Sequence, residues 1–116
     1  MARVHDTVNA LRTDSKYVHV TCWAGLGFCW GSKSVSLITA AGDKSLLHVA
    51  AHTSPSRLDP EEAKTITVPT MLLPSKGEDK DLVKKYVDNL KGEKYVERFD
   101  EVHGWMSARK EYERGY

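Results

Sequence analysis

Short apolar, β-prone runs alternate with amphipathic, helix-prone segments along the whole chain, and this alternation constrains the fold more than any other feature. Val4, Val8 and Leu11 recur at helical spacing, and Thr13-Asp14-Ser15 ends that segment. The stretch from Tyr17 to Phe28 is β-prone, with a clear strand end at Phe28. Ser32 to Ala41 reads as a helix closed by Gly42, and Leu46 to Ala51 reads as a buried strand. Asp59-Pro60-Glu61-Glu62 carries an N-cap aspartate, a first-turn proline and first-turn acids, so a helix starts there. Ile66 to Leu73 is a second apolar strand. Asp81 to Leu90 follows as an amphipathic helix, with Leu82, Val83, Tyr86, Val87 and Leu90 on one face. Tyr95 to Phe99 alternates as a strand, residues 100–104 form a loop, and Trp105 to Tyr112 is predicted as a last helix.

Helices and strands in that order make βαβ units, and βαβ units make a mostly parallel sheet flanked by helices. The expected class is α/β, with 1–116 as one domain, and ligand sites in such sheets lie beyond the carboxyl ends of the strands. With 116 residues, 41% of them hydrophobic, the chain can bury a single core. A net charge of +1 gives no electrostatic reason to expect nucleic acid or an acidic membrane as partner. No apolar run reaches bilayer-spanning length, and the polar start Met1-Ala-Arg-Val-His-Asp6 lacks the apolar core of a signal peptide. Two cysteines, Cys22 and Cys29, are too few for a disulfide scaffold. A cytoplasmic location, where thiols stay reduced, is the expectation.

The chemistry concentrates between the first strand and the helix after it, in Gly25-Leu-Gly-Phe-Cys-Trp-Gly-Ser-Lys-Ser34. A phosphate-binding P-loop starting at Gly27 fails, because Ser32 stands where the second glycine belongs. A dinucleotide fingerprint starting at Gly25 fails at its third glycine, where Trp30 stands. Gly27-Phe28-Cys29-Trp30-Gly31 matches G-x-C-x-G, a nucleophile elbow with cysteine in place of serine. A sharp strand-to-helix turn needs small neighbours, which Gly27 and Gly31 supply. It also stands Cys29 at a helix N-terminus, where the dipole favours thiolate. The amide of the next residue, Trp30, can then face an oxyanion. A small buried cysteine without chemistry remains open from the spacing alone. His48 and His52 are four apart, but Val49 stands where a zinc-binding HExxH needs glutamate, so neither a metal nor a cofactor is expected. Cys22, on the preceding segment, reads as core.

Five landmarks in order extend the elbow reading. They are Gly27-Phe-Cys-Trp-Gly31, Leu58-Asp-Pro-Glu-Glu-Ala-Lys64, Val68-Pro69, His103-Gly-Trp-Met106 and Glu111-Tyr-Glu-Arg-Gly-Tyr116. From about Trp23 onward the chain resembles the dienelactone hydrolase family, its fungal members above all, over the second half of the family's domain. The resemblance implies a partial α/β-hydrolase fold and hydrolysis of small esters or lactones. It also implies a Cys-His-acid triad with Cys29 as nucleophile and His103, in the loop 100–105, as base. On its own His103 would read as a surface histidine.

The acid departs from the pattern. The family's aspartate falls on Gly77, and Glu78 and Asp79 follow, of which Asp79 is the preferred substitute. Because the resemblance covers half of the domain, two further expectations arise. Activity should be weak, with half an oxyanion hole, and an uncovered sheet edge should favour a homo-oligomer. The alternative reading is a non-catalytic interaction module of hydrolase ancestry.

Overall fold

The computed structural model describes residues 2–107. Four parallel strands, β1 (Ala24–Phe28), β2 (Val49–Thr53), β3 (Thr70–Leu73) and β4 (Lys94–Val96), form one sheet in the order β1-β2-β3-β4. Helices α1 (Ala2–Thr13), α2 (Trp30–Thr39), α3 (Pro60–Ala63) and α4 (Lys80–Asn89) intervene, with single 3-10 turns at Ser15–Tyr17 and Gly42–Lys44. The α/β order is the one the sequence predicts. The last helix, expected over Trp105 to Tyr112, falls largely on residues 108–116, outside the described residues; Trp105 and Ser107 sit in successive turns.

Strand starts come later than the apolar runs suggest. Tyr17 to Trp23 is outside the sheet, because β1 finds a parallel partner only from Ala24, opposite Val49. Cys22 is therefore exposed rather than part of the core. Ile66 is fully buried but packs with α3 and α4, and the β3 ladder begins at Thr70, after Pro69, which has no amide to give.

Register decides which face the helices cover. Gly25, Ala50 and Thr70 are aligned across the strands, as are Gly27, His52 and Leu72, and these rows point to one face. On that face Val35, Ile38, Leu47 and Ala50 form one apolar cluster, joined by Val8 of α1. Leu72 packs with Leu58, Ala63, Ile66, Val83, Tyr86 and Leu90 in a second. Leu82, expected on the same stripe of α4, is exposed instead. Polar groups join the helices behind these clusters. Ser36 of α2 donates to Glu62 Oε1 at 3.0 Å and shares a 2.6 Å hydrogen bond with the Tyr86 hydroxyl, and Lys33 pairs with Glu62. Burial, with a smaller contribution from the Glu62 charge, pushes the Tyr86 phenol up to about 12 despite its bond to Ser36.

The opposite face carries the row Leu26, Ala51, Met71 and Tyr95. Leu26 is 57% exposed and Tyr95 56%, and with Val49 and Pro69 they line an apolar depression of about 560 Å³. No described helix of the chain packs on this face through the two clusters. Parallel sheets are ordinarily covered on both faces. No helix among the described residues is long and apolar enough to cross a membrane.

Candidate active site

The turn from β1 into α2 is strained at one residue. Cys29 has φ 53° and ψ −114°, in a region that non-glycine residues rarely occupy, and it is the N-cap of α2 without a side-chain capping bond. Such a conformation costs about 1–3 kcal/mol and persists only when its surroundings enforce it. Three contacts enforce it here. The Cys29 amide donates to the Thr53 carbonyl at 3.1 Å, tying the elbow to the end of β2. The Ser32 amide donates to the Cys29 carbonyl at 3.1 Å, closing the turn. At Gly27 a Cβ would stand 2.6 Å from both the N and the Cα of Ser32, so only glycine lets the helix come this close. The sequence reading asked the same of Gly31, and there the structure differs: a Cβ at Gly31 would meet nothing within 4 Å. Cys29 is a half-buried free thiol. Trp30, 56% exposed, does not pack in the core, and its amide opens the first turn of α2, where helical carbonyls cannot reach it.

His103 is held in a loop stitched to the loop after β3. The Phe99 amide donates to the Pro74 carbonyl and the Lys76 amide to the Glu101 carbonyl, each at 2.9 Å. Arg98 Nη1 donates to the carbonyls of Ser75, at 2.6 Å, and Glu78, at 3.1 Å. Trp105 packs against Phe99 with ring centroids 5.3 Å apart. At the far end Gly104, at φ 86°, donates its amide to the buried Ser54 hydroxyl at 3.0 Å. Ser54 follows Thr53, and Thr53 is the register partner of Phe28, the residue before Cys29. The histidine loop therefore reaches the strand end adjoining the elbow. No hydrogen bond joins Cys29 and His103 among the described residues.

The acid facing His103 is Glu78. Glu78 Oε2 lies 3.7 Å from His103 Nδ1, beyond hydrogen-bond length but within ion-pair reach. Its side chain is only 8% exposed, and it accepts from the Ser75 amide at 3.1 Å and from the Ser75 hydroxyl. Asp79, the residue preferred from sequence, is engaged elsewhere. Its carboxylate caps α4, accepting from the Asp81 amide at 2.8 Å and the Leu82 amide at 3.1 Å. Gly77, where the dienelactone hydrolase pattern has its aspartate, lies against the histidine: a Cβ there would be 3.6 Å from His103 Cβ.

The four-apart histidines part company. His48 is exposed, and its Nδ1 accepts from the Trp23 amide at 2.9 Å. His52 is fully buried, and its Nδ1 shares a 2.7 Å hydrogen bond with Ser32 Oγ. Desolvation lowers His52 to about 4, so the imidazole is neutral near pH 7. Spacing along the chain offers no reason to look beneath the elbow for it. Among the described residues no three His, Cys, Asp or Glu side chains gather as a metal site would need.

The fold matches that of a solved structure. Against the dienelactone hydrolase of Anabaena variabilis the TM-score is 0.69 at 16% identity, over 87% of this chain and 48% of that one. The chain carries part of an α/β-hydrolase fold. In sequence it is similar to two uncharacterised AIM2 family proteins of Schizosaccharomyces pombe, 43% identical over 90 residues and 33% over 89. The chain spans about a third of the length of these curated relatives, 35% and 34%. No family model matches it.

Proposed function

We propose that the chain carries the nucleophile, base and acid of a thiol-dependent hydrolase of small esters or lactones. The observation that carries this reading is Cys29, a cysteine held at positive φ between a strand and a helix N-terminus. Backbone strain of this kind gathers at functional sites. In the proposed reaction His103 takes the Cys29 proton as Sγ attacks the substrate carbonyl. The Trp30 amide holds the oxyanion, and the leaving alkoxide departs with the proton from His103. Water, deprotonated by His103, then releases the acid from the thioester and restores the thiol. Glu78, rather than Asp79, orients the imidazole. In a lactone the leaving alkoxide stays attached to the acyl chain, and the product is a hydroxy acid.

The Trp30 amide of the elbow supplies one oxyanion donor, and one such donor is worth about 10²–10³ in rate. A reducing, cytoplasmic compartment suits a free nucleophilic thiol. Self-association through the β1 edge is part of the same proposal. The second reading, a non-catalytic interaction module, is favoured by the apolar sheet face left uncovered among the described residues. Hydrolysis of p-nitrophenyl acetate by wild type and Cys29→Ala separates the two. Turnover lost in Cys29→Ala supports the enzyme, and turnover absent or indifferent to the substitution supports the module.

A further inference from the structure

His52 is a fully buried imidazole in the interior of the sheet. It stands in the register row of Gly27 and Leu72, facing the helices, directly beneath the elbow. One nitrogen is bonded to Ser32 Oγ at 2.7 Å; the other, Nε2, has no hydrogen-bond partner among the described residues. Burying an imidazole is unfavourable unless it is hydrogen-bonded, so the bond it does make to Ser32 matters. Its one partner leads to the nucleophile. Ser32 is also fully buried, its backbone fills the space that Gly27 leaves, and its amide donates to the Cys29 carbonyl. The hydroxyl of Ser32 thus answers to β2 while its amide answers to Cys29. Moving this serine would move the first turn of α2 and release the strained torsions of Cys29.

We infer that His52 and Ser32 are positioning residues for the nucleophile, a buried hydrogen-bonded pair that holds the elbow in its strained form. The inference rests on the reading of Cys29 as nucleophile, but its test does not require ester turnover. Cys22, an exposed thiol outside the sheet, serves as an internal reference. Wild type, Ser32→Ala, His52→Leu and His52→Asn are labelled with iodoacetamide near neutral pH, and the ratio of Cys29 to Cys22 alkylation is read by mass spectrometry. Circular dichroism checks the fold of each variant.

Ser32→Ala and His52→Leu are expected to lower the ratio by about tenfold, since reactivity depends on the geometry of the attacking group. His52→Asn places an amide near the position of Nδ1 and is expected to recover most of the loss. An unchanged ratio in folded Ser32→Ala, or His52→Asn no better than His52→Leu, would overturn the inference. So would loss of the fold in both Ser32→Ala and His52→Leu, which would make the pair structural. Absence of ester hydrolysis in wild type with the labelling pattern intact would count against the proposed reaction and not against the pair.

Discussion

The Gly104 amide and the Ser54 hydroxyl meet at 3.0 Å in a buried hydrogen bond that spans fifty residues and fixes the histidine loop to the end of β2. Ser54 itself sits at φ 45°, 1% exposed, with its amide on the Leu73 carbonyl, so the hydroxyl has little freedom to look elsewhere. Ser54→Ala would leave the Gly104 amide buried and unpaired. A loss of about 1–3 kcal/mol is expected, measured by urea denaturation. Turnover should fall further than binding, because His103 would lose its anchor; an unchanged kcat would contradict that.

The two adjacent acids are expected to separate cleanly. Glu78→Gln should lower Cys29-dependent turnover by about tenfold to a hundredfold, since an unoriented imidazole is a poor base. Asp79→Ala should cost about 1 kcal/mol of stability by uncapping α4 and leave turnover near wild type. The reverse pattern in paired kinetic and denaturation measurements would return the role to Asp79.

Glycines flanking the cysteine are expected to behave oppositely. Gly27→Ala forces a methyl into the backbone of Ser32 and should cost about 3 kcal/mol or prevent folding. Gly31→Ala enters open space in the first turn of α2 and should lie within about 0.5 kcal/mol of wild type. Thermal denaturation of the two variants decides it.

Acid should weaken the fold through His52. Its folded value of about 4 lies below the ordinary 6.5, so the unfolded chain takes up the proton first. The contribution is whole above pH 6.5 and is lost as pH falls from there toward 4, by about 3 kcal/mol in all. His52→Asn should flatten that slope in denaturation midpoints measured across the interval. An equally steep slope in the variant would assign the acid sensitivity to other groups.

The edge of β1, unpaired among the described residues, and the apolar row beginning at Leu26 favour a second copy as partner, and a net charge of +1 opposes association little. Sedimentation velocity is expected to show concentration-dependent dimerisation that Leu26→Lys reduces. A monomer across the micromolar range would remove this part of the proposal.

The alternation of elements was legible in sequence because it follows from apolar periodicity, and the carboxyl ends of β1 and β3 were legible because Phe28 and Leu73 precede clear turns. The strand starts were not. Leu46 and Leu47 look like ladder residues, yet Leu47 is buried in the apolar cluster beneath Gly25, where a Cβ would come within 2.6 Å of it, and pairing begins at Val49. Burial and pairing leave the same apolar signature in a sequence. The elbow was legible at Gly27 and Cys29, since a sharp turn dictates residue types, but not the tolerance at Gly31, which depends on where α2 leaves the sheet. The capping of α4 by Asp79 had a signal in the sequence: an aspartate just before an amphipathic run is an N-cap pattern. The burial of His52 follows from register, which no single strand's sequence declares.

The stitching of the loops after β3 and β4 has a mechanical consequence. Through Phe99 on Pro74, Lys76 on Glu101 and the two Arg98 bonds, Glu78 and His103 are fastened to each other's backbone. Cys29 and Trp30 instead belong to β1, α2 and the end of β2. His103 and Glu78 thus travel as one carriage on the loops after β3 and β4, and Cys29 rides with β1 and α2. The Gly104–Ser54 bond at the end of β2 is the coupling pin between the two. A change of twist between β2 and β3 would be felt at that pin, while the imidazole and its neighbouring carboxylate stay in step.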